Sequence, residues 1–474
     1  MSVINTNVQS LIAQNVLAQN NNQLSTSLER LSTGLQINSG ADNPSGLIAV
    51  ESFNQENTGL TTAIANAGQA GNVVGTAEGG LSEISNLLTQ LQGLVGQAAN
   101  TGALSSDQVS ADQLQVDSIL NTVNRIAGNT TFEGTQLLNG NLAYATSGVK
   151  TSAVQNLSVN SVRLPSSGAL TVTVAVTGSA KTADLTSTVG TVTGSAVTLQ
   201  VTGNLGSVQL VFASGTHASA IANAINAVTT QTGVTASATL SGSVSKDLAL
   251  TTQGYGASQF VSVKATTGSL AFNATTAKGT DASVTVNGSA ATVSGLHVNY
   301  STAGLDLNLD LASGLNKPGN TETFYVTGGG ANFSLGALVN DSGKASIGIG
   351  NVSSGSLGNQ TNGYLSTIGT GGANSLSSTN LGTAQKIITA AITQVSDLRG
   401  RLGAFQDYTI GSTVSALNVA YENSNAAESA IQDTNFASET SNLTRAQILS
   451  QAASTVLAQA NATPQQALTL LKNA

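Results

Sequence analysis

Two histidines, His217 and His297, are the only side chains in this 474-residue sequence whose ordinary pKa falls near neutrality, and they stand eighty positions apart. Cysteine is absent, which removes thiolate nucleophiles, disulfides and thiolate zinc sites together. No H-E-x-x-H pair occurs, so a zinc protease of that design is excluded. The surrounding residues predict that His217 opens a helix and His297 ends a strand. Asp306 and Asp310 alternate along Leu305–Leu311, which puts both carboxylates on one strand face. That arrangement could meet Ca²⁺, but a solvated face is the simpler reading. Gly328-Gly329-Gly330 lacks the Lys-Ser/Thr that completes a phosphate loop and reads as a flexible turn. Asn129-Thr130-Thr131 fits the acceptor pattern for an N-linked sugar. The sequence therefore predicts no enzyme, no cofactor and no metal site.

Composition narrows the class further. Hydrophobic residues make up 40% of the chain, enough for more than one core, while charged residues are only 8%, against roughly 25% in ordinary soluble domains. Net charge is −8 with no run of Lys or Arg. That argues against nucleic acid, whose phosphates demand a basic footprint, and against an electrostatic membrane anchor. Met1–Asn7 has neither the basic start nor the apolar run of a secretory signal peptide. No stretch of 18 apolar residues is present, so no membrane insertion is expected.

The dominant pattern lies at the two ends. Leu17, Leu24, Leu28, Leu31 and Leu35 form a heptad seam on one predicted helix. Gly34 and Gly40 weaken it, and Asp42-Asn43-Pro44-Ser45-Gly46 is predicted as the turn that follows. Leu81, Ile84, Leu87, Leu88, Leu91, Leu94 and Val95 repeat the pattern up to Asn100-Thr101-Gly102. Ser105 and Gln108 form a capping box for a helix carrying Val109, Val116, Ile119, Leu120, Val123 and Ile126. Near the other end Ala384, Ile387, Ala391, Val395, Leu398, Leu402 and Phe405 make a seam that continues loosely through Ile410, Val414, Leu417 and Tyr421. The last segment carries Leu443, Ile448, Leu449, Val456 and Leu457, with Pro464 either capping a terminal helix that bears Leu468, Leu470 and Leu471 or kinking a continuous one. Seams this narrow need partner helices.

Between the ends the period changes to two. Leu170–Val176, Ala196–Val201, Val208–Phe212, Val284–Val286 and Leu305–Leu311 read as strands, with one helix from His217 to Val228 and a Gly/Ser/Asn-rich return at 350–378. The fold class is α+β: N- and C-terminal helices paired into a long rod or coiled coil, with a β-rich middle insertion facing outward.

At both ends the residues resemble bacterial flagellin. The resemblance is carried by Ile4-Asn5-Thr6-Asn7, by Leu28-Glu29-Arg30-Leu31-Ser32-Thr33-Gly34-Leu35-Gln36-Ile37-Asn38-Ser39, by Thr76-Ala77-Glu78-Gly79-Gly80-Leu81 and by Phe132-Glu133-Gly134-Thr135-Gln136-Leu137-Leu138-Asn139-Gly140. At the far end it is carried by Arg401-Leu402-Gly403-Ala404-Phe405-Gln406, Gln447–Ala452, Leu457–Asn461 and Pro464-Gln465. The match covers about half of the sequence in the right order, and residues 197–265 look like an insertion module of flagellins and the filament cap protein.

The resemblance implies a filament subunit, self-associating into a helical homopolymer outside the cell and exported unfolded. It implies residues 1–44 and 433–474 as inner-core helices, 45–165 with 376–432 as a helical outer core, and 166–375 as the β-rich outer region. Leu17, Leu24, Leu28, Leu31, Leu35, Leu443, Ile448, Leu449, Val456 and Leu457 then become subunit-packing seams, ordered in the polymer rather than in the monomer. Partners implied are an export chaperone, the filament cap and the hook-associated junction proteins. Many flagellins carry an Arg and a Glu where an animal innate receptor binds. The equivalent stretch here is Thr89-Gln90-Leu91-Gln92-Gly93-Leu94. Gln cannot reproduce charge-assisted bonds of Arg, so receptor activation is expected to be weak. The alternatives are the related hook–filament junction protein, whose C-terminal match to flagellin is poorer, and a secreted β-rich adhesin.

Overall fold

The computed structural model describes residues 6–100, 105–165, 168–187, 191–241, 244–378 and 380–472. The chain divides into two compact units. The first comprises Met1–Gln69, Ser334–Lys344 and Tyr408–Ala474; the second comprises Ala70–Phe333 and Ala345–Asp407.

Long helices build the ends: α1 Val8–Thr33, α2 Pro44–Ala98 and α3 Ser106–Asn129 on one side, and, after α4 Ala218–Ala227 in the middle, α5 Leu381–Ala404, α6 Ser412–Gln432 and α7 Phe436–Lys472 on the other. The α1 terminus differs from expectation. Gly34 adopts φ +77°, a left-handed conformation that costs glycine little, and its N–H closes the helix on the Arg30 carbonyl at 2.9 Å. The helix therefore stops before Leu35, which instead forms an extended bridge with Asp433. The predicted turn at 42–46 is also corrected. Pro44 is the first residue of α2, where a missing N–H costs nothing, and the Asn43 side chain caps the helix by accepting from the Gly46 N–H at 3.0 Å. Asp42 closes the loop between the helices by accepting from the Ser39 N–H at 2.8 Å and the Asn38 N–H at 3.1 Å, and these bonds, Ser39 foremost, hold its carboxyl below the ordinary value.

Along α2 from Leu60 a buried row runs Leu60, Ala63, Ala67, Ala70, Val74, Ala77, Leu81, Ile84, Leu88, Leu91, Val95 and Ala98, an unbroken alternation of three and four, with Val50 before it and Leu87 beside it also buried. Ser105 and Gln108 form the reciprocal capping box of α3, and Val116, Leu120, Val123 and Ala127 are its buried face. Residues 101–104, where the preceding turn was expected, lie outside the described residues. In α5 the buried row runs Ala384, Ile388, Ala391, Val395, Leu398, Leu402, with the expected Ile387 buried beside Ile388. A π-helix, Phe405–Gly411, follows; the buried and half-buried row resumes at its Ile410 and continues in α6 as Thr413, Leu417, Ala420, Ser424. Continuing the alternation from Leu402 would have given 405, 409, 412 and 416, so the π turn delays the seam by one residue.

Within the second unit, two β modules are each built on their own core. In the first, a five-stranded sheet (Ser289–Ala290, Ser283–Val286, Leu170–Gly178, Thr321–Gly329, Tyr144–Ser147) and a four-stranded sheet (Thr292–Ser294, His297–Ser301, Leu305–Leu311, Val154–Val162) enclose Val172, Val174, Leu307, Leu309, Phe324 and their neighbours. In the second, a four-stranded sheet centred on Phe260–Thr267 and Val197–Gly203, with a three-stranded one centred on Val244–Thr252, packs with α4 around Leu185, Leu199, Ile221 and Ile225. The four sheets are antiparallel throughout. His297 starts its strand rather than ending one, because Gly295 at φ +65° supplies the turn just before it.

Candidate functional site

In the first unit α1 and α7 run antiparallel along a shared seam. From α1 it takes Ser10, Ala13, Leu17, Asn20, Leu24, Ser27 and Leu31, and from α7 Glu439, Leu443, Ala446, Ser450, Ala453, Leu457, Ala460 and Pro464, all buried or half-buried at alternating three- and four-residue steps. Small residues recur in both rows and let the backbones approach closely. Polar side chains then tie them together: Asn7 Nδ2 donates to the Ala460 carbonyl at 2.8 Å, Ser10 to Asn461 Oδ1 at 2.8 Å, Ser450 to Asn21 Oδ1 at 2.8 Å and Ser27 to Glu439 Oε1 at 2.5 Å. The Arg30 guanidinium lies 3.9 Å from the other Glu439 oxygen. The hinge between α6 and α7 is fixed by main-chain bonds, the Gln36 N–H to the Gln432 carbonyl at 2.6 Å and the Thr434 N–H to the Gly34 carbonyl at 2.8 Å.

The ten seam residues expected from sequence divide. Leu17, Leu24, Leu31, Leu443 and Leu457 line the α1–α7 seam, and half-buried Leu35 lies in the bridge beyond α1. Leu28, Ile448, Leu449 and Val456 face solvent, as do Leu11, Ile12 and Val16, which the sequence reading passed over. A groove of about 440 Å³ runs between Ile12 and Val16 on one helix and Leu449 and Val456 on the other. The signal for Leu11, Ile12 and Val16 is a second apolar row that starts at Val8 and reaches Leu11 in three residues, Ile12 in four and Val16 four further on. The small polar seam at Ser10, Asn20 and Ser27 has no hydropathy signal at all. α7 is continuous through Pro464, and Leu468, Leu470 and Leu471 lie outside the residues whose side chains are described.

The second unit holds the residues first considered for chemistry. His297 Nδ1 lies 2.6 Å from Asp310, whose other oxygen accepts from Asn156 Nδ2 at 2.7 Å. Asp306 accepts from Asn160 Nδ2 at 2.6 Å and Ser301 Oγ at 2.8 Å, and Arg401 donates to Asn160 Oδ1. The bond to Asp310 raises the His297 pKa; burial lowers that of Arg401, with Asp306 and Asp397 opposing. Each carboxylate is thus held by a structural partner. His217 is the N-cap residue of α4, its ring 3.1 Å from Thr191 Oγ1. Thr89, Gln90 and Gly93 are exposed on α2, Gln92 and Leu94 half-buried, and Leu91 buried.

Paired terminal helices with long heptad seams, joined to antiparallel β modules, are the architecture of a structural subunit. Residues 4–143 match the model of the bacterial flagellin N-terminal helical region, 385–471 that of the C-terminal helical region, and 196–252 the flagellin hook IN motif. The chain is 30% identical to a flagellin of Salmonella typhimurium and 29% identical to flagellin D of Vibrio cholerae, in each case over 99% of both chains. It belongs to the bacterial flagellins and is a structural subunit of the extracellular flagellar filament. Among solved structures it is similar to domains of the Escherichia coli flagellar cap protein, at 20% identity and a TM-score of 0.27 over 39% of this chain and 99% of that one.

Proposed function

We propose that the chain polymerises with copies of itself through the exposed apolar rows of α1 and α7, forming a helical tube that serves swimming. Residues 1–44 and 433–474 form its inner layer, 45–165 and 376–432 the surrounding helical layer, and 166–375 the outer region with its insertion module near 197–265. One observation carries this reading: Leu11, Ile12, Val16, Leu28, Ile448, Leu449 and Val456 are exposed on a helix pair whose own seam is already filled, and Ile12, Val16, Leu449 and Val456 line an open groove. Burying a fully exposed side chain of this kind stabilises by about 1.5–3 kcal/mol; these are 42–64% exposed, so each stands to gain a fraction of that, and a neighbouring copy's apolar side chain is the fitting occupant. Neighbouring copies then add order to an inner helix pair already packed on itself. Family membership supports export through the flagellar channel, an export chaperone on α7, and contacts with the cap and hook-associated junction proteins. The uncharged Gln90 and Gly93 favour weak recognition by the innate receptor.

Seeded polymerisation followed by electron microscopy tests the assembly reading. Ile12→Asn and Leu449→Asn change only exposed positions, so the monomer should melt normally while elongation stops. Filaments growing from both variants at the normal rate would remove these rows from the interface.

A further inference from the structure

The loop Ser334–Lys344 comes from the middle of the sequence yet belongs to the compact unit of the terminal helices. Its tip carries two adjacent apolar side chains in water, Leu338 at 72% exposure and Val339 at 93%. The loop is firmly held. The Leu335 N–H donates to the Gly343 carbonyl at 2.8 Å, Asn340 Oδ1 accepts from the Gly343 N–H at 2.8 Å, and Lys344 pairs with Asp341 at 3.0 Å. Gly336 and Gly343 are stacked so closely that a Cβ on either would stand 2.9 Å from the other's Cα. Below the tip, a Cβ on Gly59 of α2 would stand 2.7 Å from the Ala337 carbonyl oxygen, so the loop backbone rests directly on that helix.

A fixed loop that presents a Leu-Val pair has already met the ordering cost of a contact. We propose that Leu338 and Val339 form an assembly contact, buried against a second copy of this chain. The proposal rests on the polymerisation reading above. A second copy is the occupant because the loop belongs to the same compact unit as the exposed rows of α1 and α7. The only charges on the loop, Asp341 and Lys344, satisfy each other, which leaves a charged partner nothing to grip. A segment within the span 166–375, expected from sequence to belong to the outer region, thereby supplies an assembly contact.

The test is the critical concentration for seeded polymerisation of the full-length chain, read by sedimentation. Leu338→Ser with Val339→Ser should leave the monomer's circular dichroism and melting unchanged and raise the critical concentration at least about tenfold, the equivalent of losing about 1.4 kcal/mol per subunit. Gly59→Leu, which lifts the loop with both apolar side chains intact, should act in the same direction. Should the double variant melt early, the nearly isosteric Val339→Thr carries the test alone. An unchanged critical concentration in a folded variant overturns this contact and leaves the polymerisation reading standing. Failure of the unaltered chain to grow on seeds overturns both.

Discussion

Asn7 donates its side-chain amide, at 2.8 Å, to the Ala460 carbonyl that Pro464 leaves without a main-chain partner. Proline has no N–H to return to the residue four positions back, so an interior proline orphans one carbonyl. The Thr463 hydroxyl donates to the same carbonyl at 3.0 Å, so two side chains share the repair. The Asn7 side chain also caps α1 by accepting from the Ser10 N–H at 3.1 Å. One residue thus serves the start of one helix and the gap in the other.

This arrangement makes Asn7 and Pro464 thermodynamically coupled. Asn7→Ala should destabilise the monomer by about 0.5–2 kcal/mol in urea unfolding, the usual worth of a helix cap. In a Pro464→Ala background, where the restored main-chain N–H would satisfy the carbonyl, the same change should cost measurably less. Equal costs in the two backgrounds would show that the orphaned carbonyl is indifferent to Asn7.

Two glycines of α2 should respond with opposite signs. Around Gly75 a Cβ meets nothing within 4 Å, so Gly75→Ala should stabilise by about 0.5–1 kcal/mol through helix propensity. At Gly80 a Cβ would stand 2.8 Å from both Leu138 Cδ1 and Thr130 Oγ1, the latter already bound to the Ile126 carbonyl at 2.7 Å. Gly80→Ala should therefore destabilise, within the 1–3 kcal/mol typical of roughly one methyl too many. Thermal melts of the monomer decide both.

His297 should make stability depend on pH. Its bond to Asp310, the largest cause, raises its folded pKa above the unfolded value near about 6.5. The stabilisation is fully present below the unfolded value and lost as pH rises through the folded one. His297→Gln should thus be less stable than the unaltered chain at pH 5.5 and indistinguishable from it at pH 9. With the His297 side chain 49% exposed, the difference should stay below about 1 kcal/mol.

In a reporter-cell assay the chain should activate the innate receptor less than a strong enteric flagellin, because Gln90 and Gly93 offer no guanidinium or carboxylate. Gln90→Arg with Gly93→Glu should raise the response. Equal potency of the unaltered chain would refute the assignment.

Large aliphatic residues made much of the fold legible beforehand. Leu81, Ile84, Leu88 and Leu91 mark α2 at helical spacing, and Leu305–Leu311 alternates so cleanly that its ends were placed without error. Ala63, Ala67, Ala70 and Ala77 continue the α2 seam, but alanine is common on every helix face and gives the pattern no contrast. On α1 the buried row is partly Ser and Asn, so hydropathy points to exposed Leu28, one turn from Leu24 at the edge of that row, as readily as to Leu24. Pro44 was read as a stop because proline marks a start and a stop with the same letter. The return of Ser334–Lys344 to the helical unit is a long-range contact and leaves no local trace in the sequence.

The π-helix at Phe405–Gly411 has a consequence for how chain length is counted. It stores one surplus residue between Leu402 and Ile410 without moving either row of buried side chains out of phase with its own packing. A related chain one residue shorter there can run as plain α-helix and bury the equivalent side chains. Aligning the two without a gap would misassign every buried position downstream, so heptad letters on this run of helix must restart after the π turn rather than continue through it.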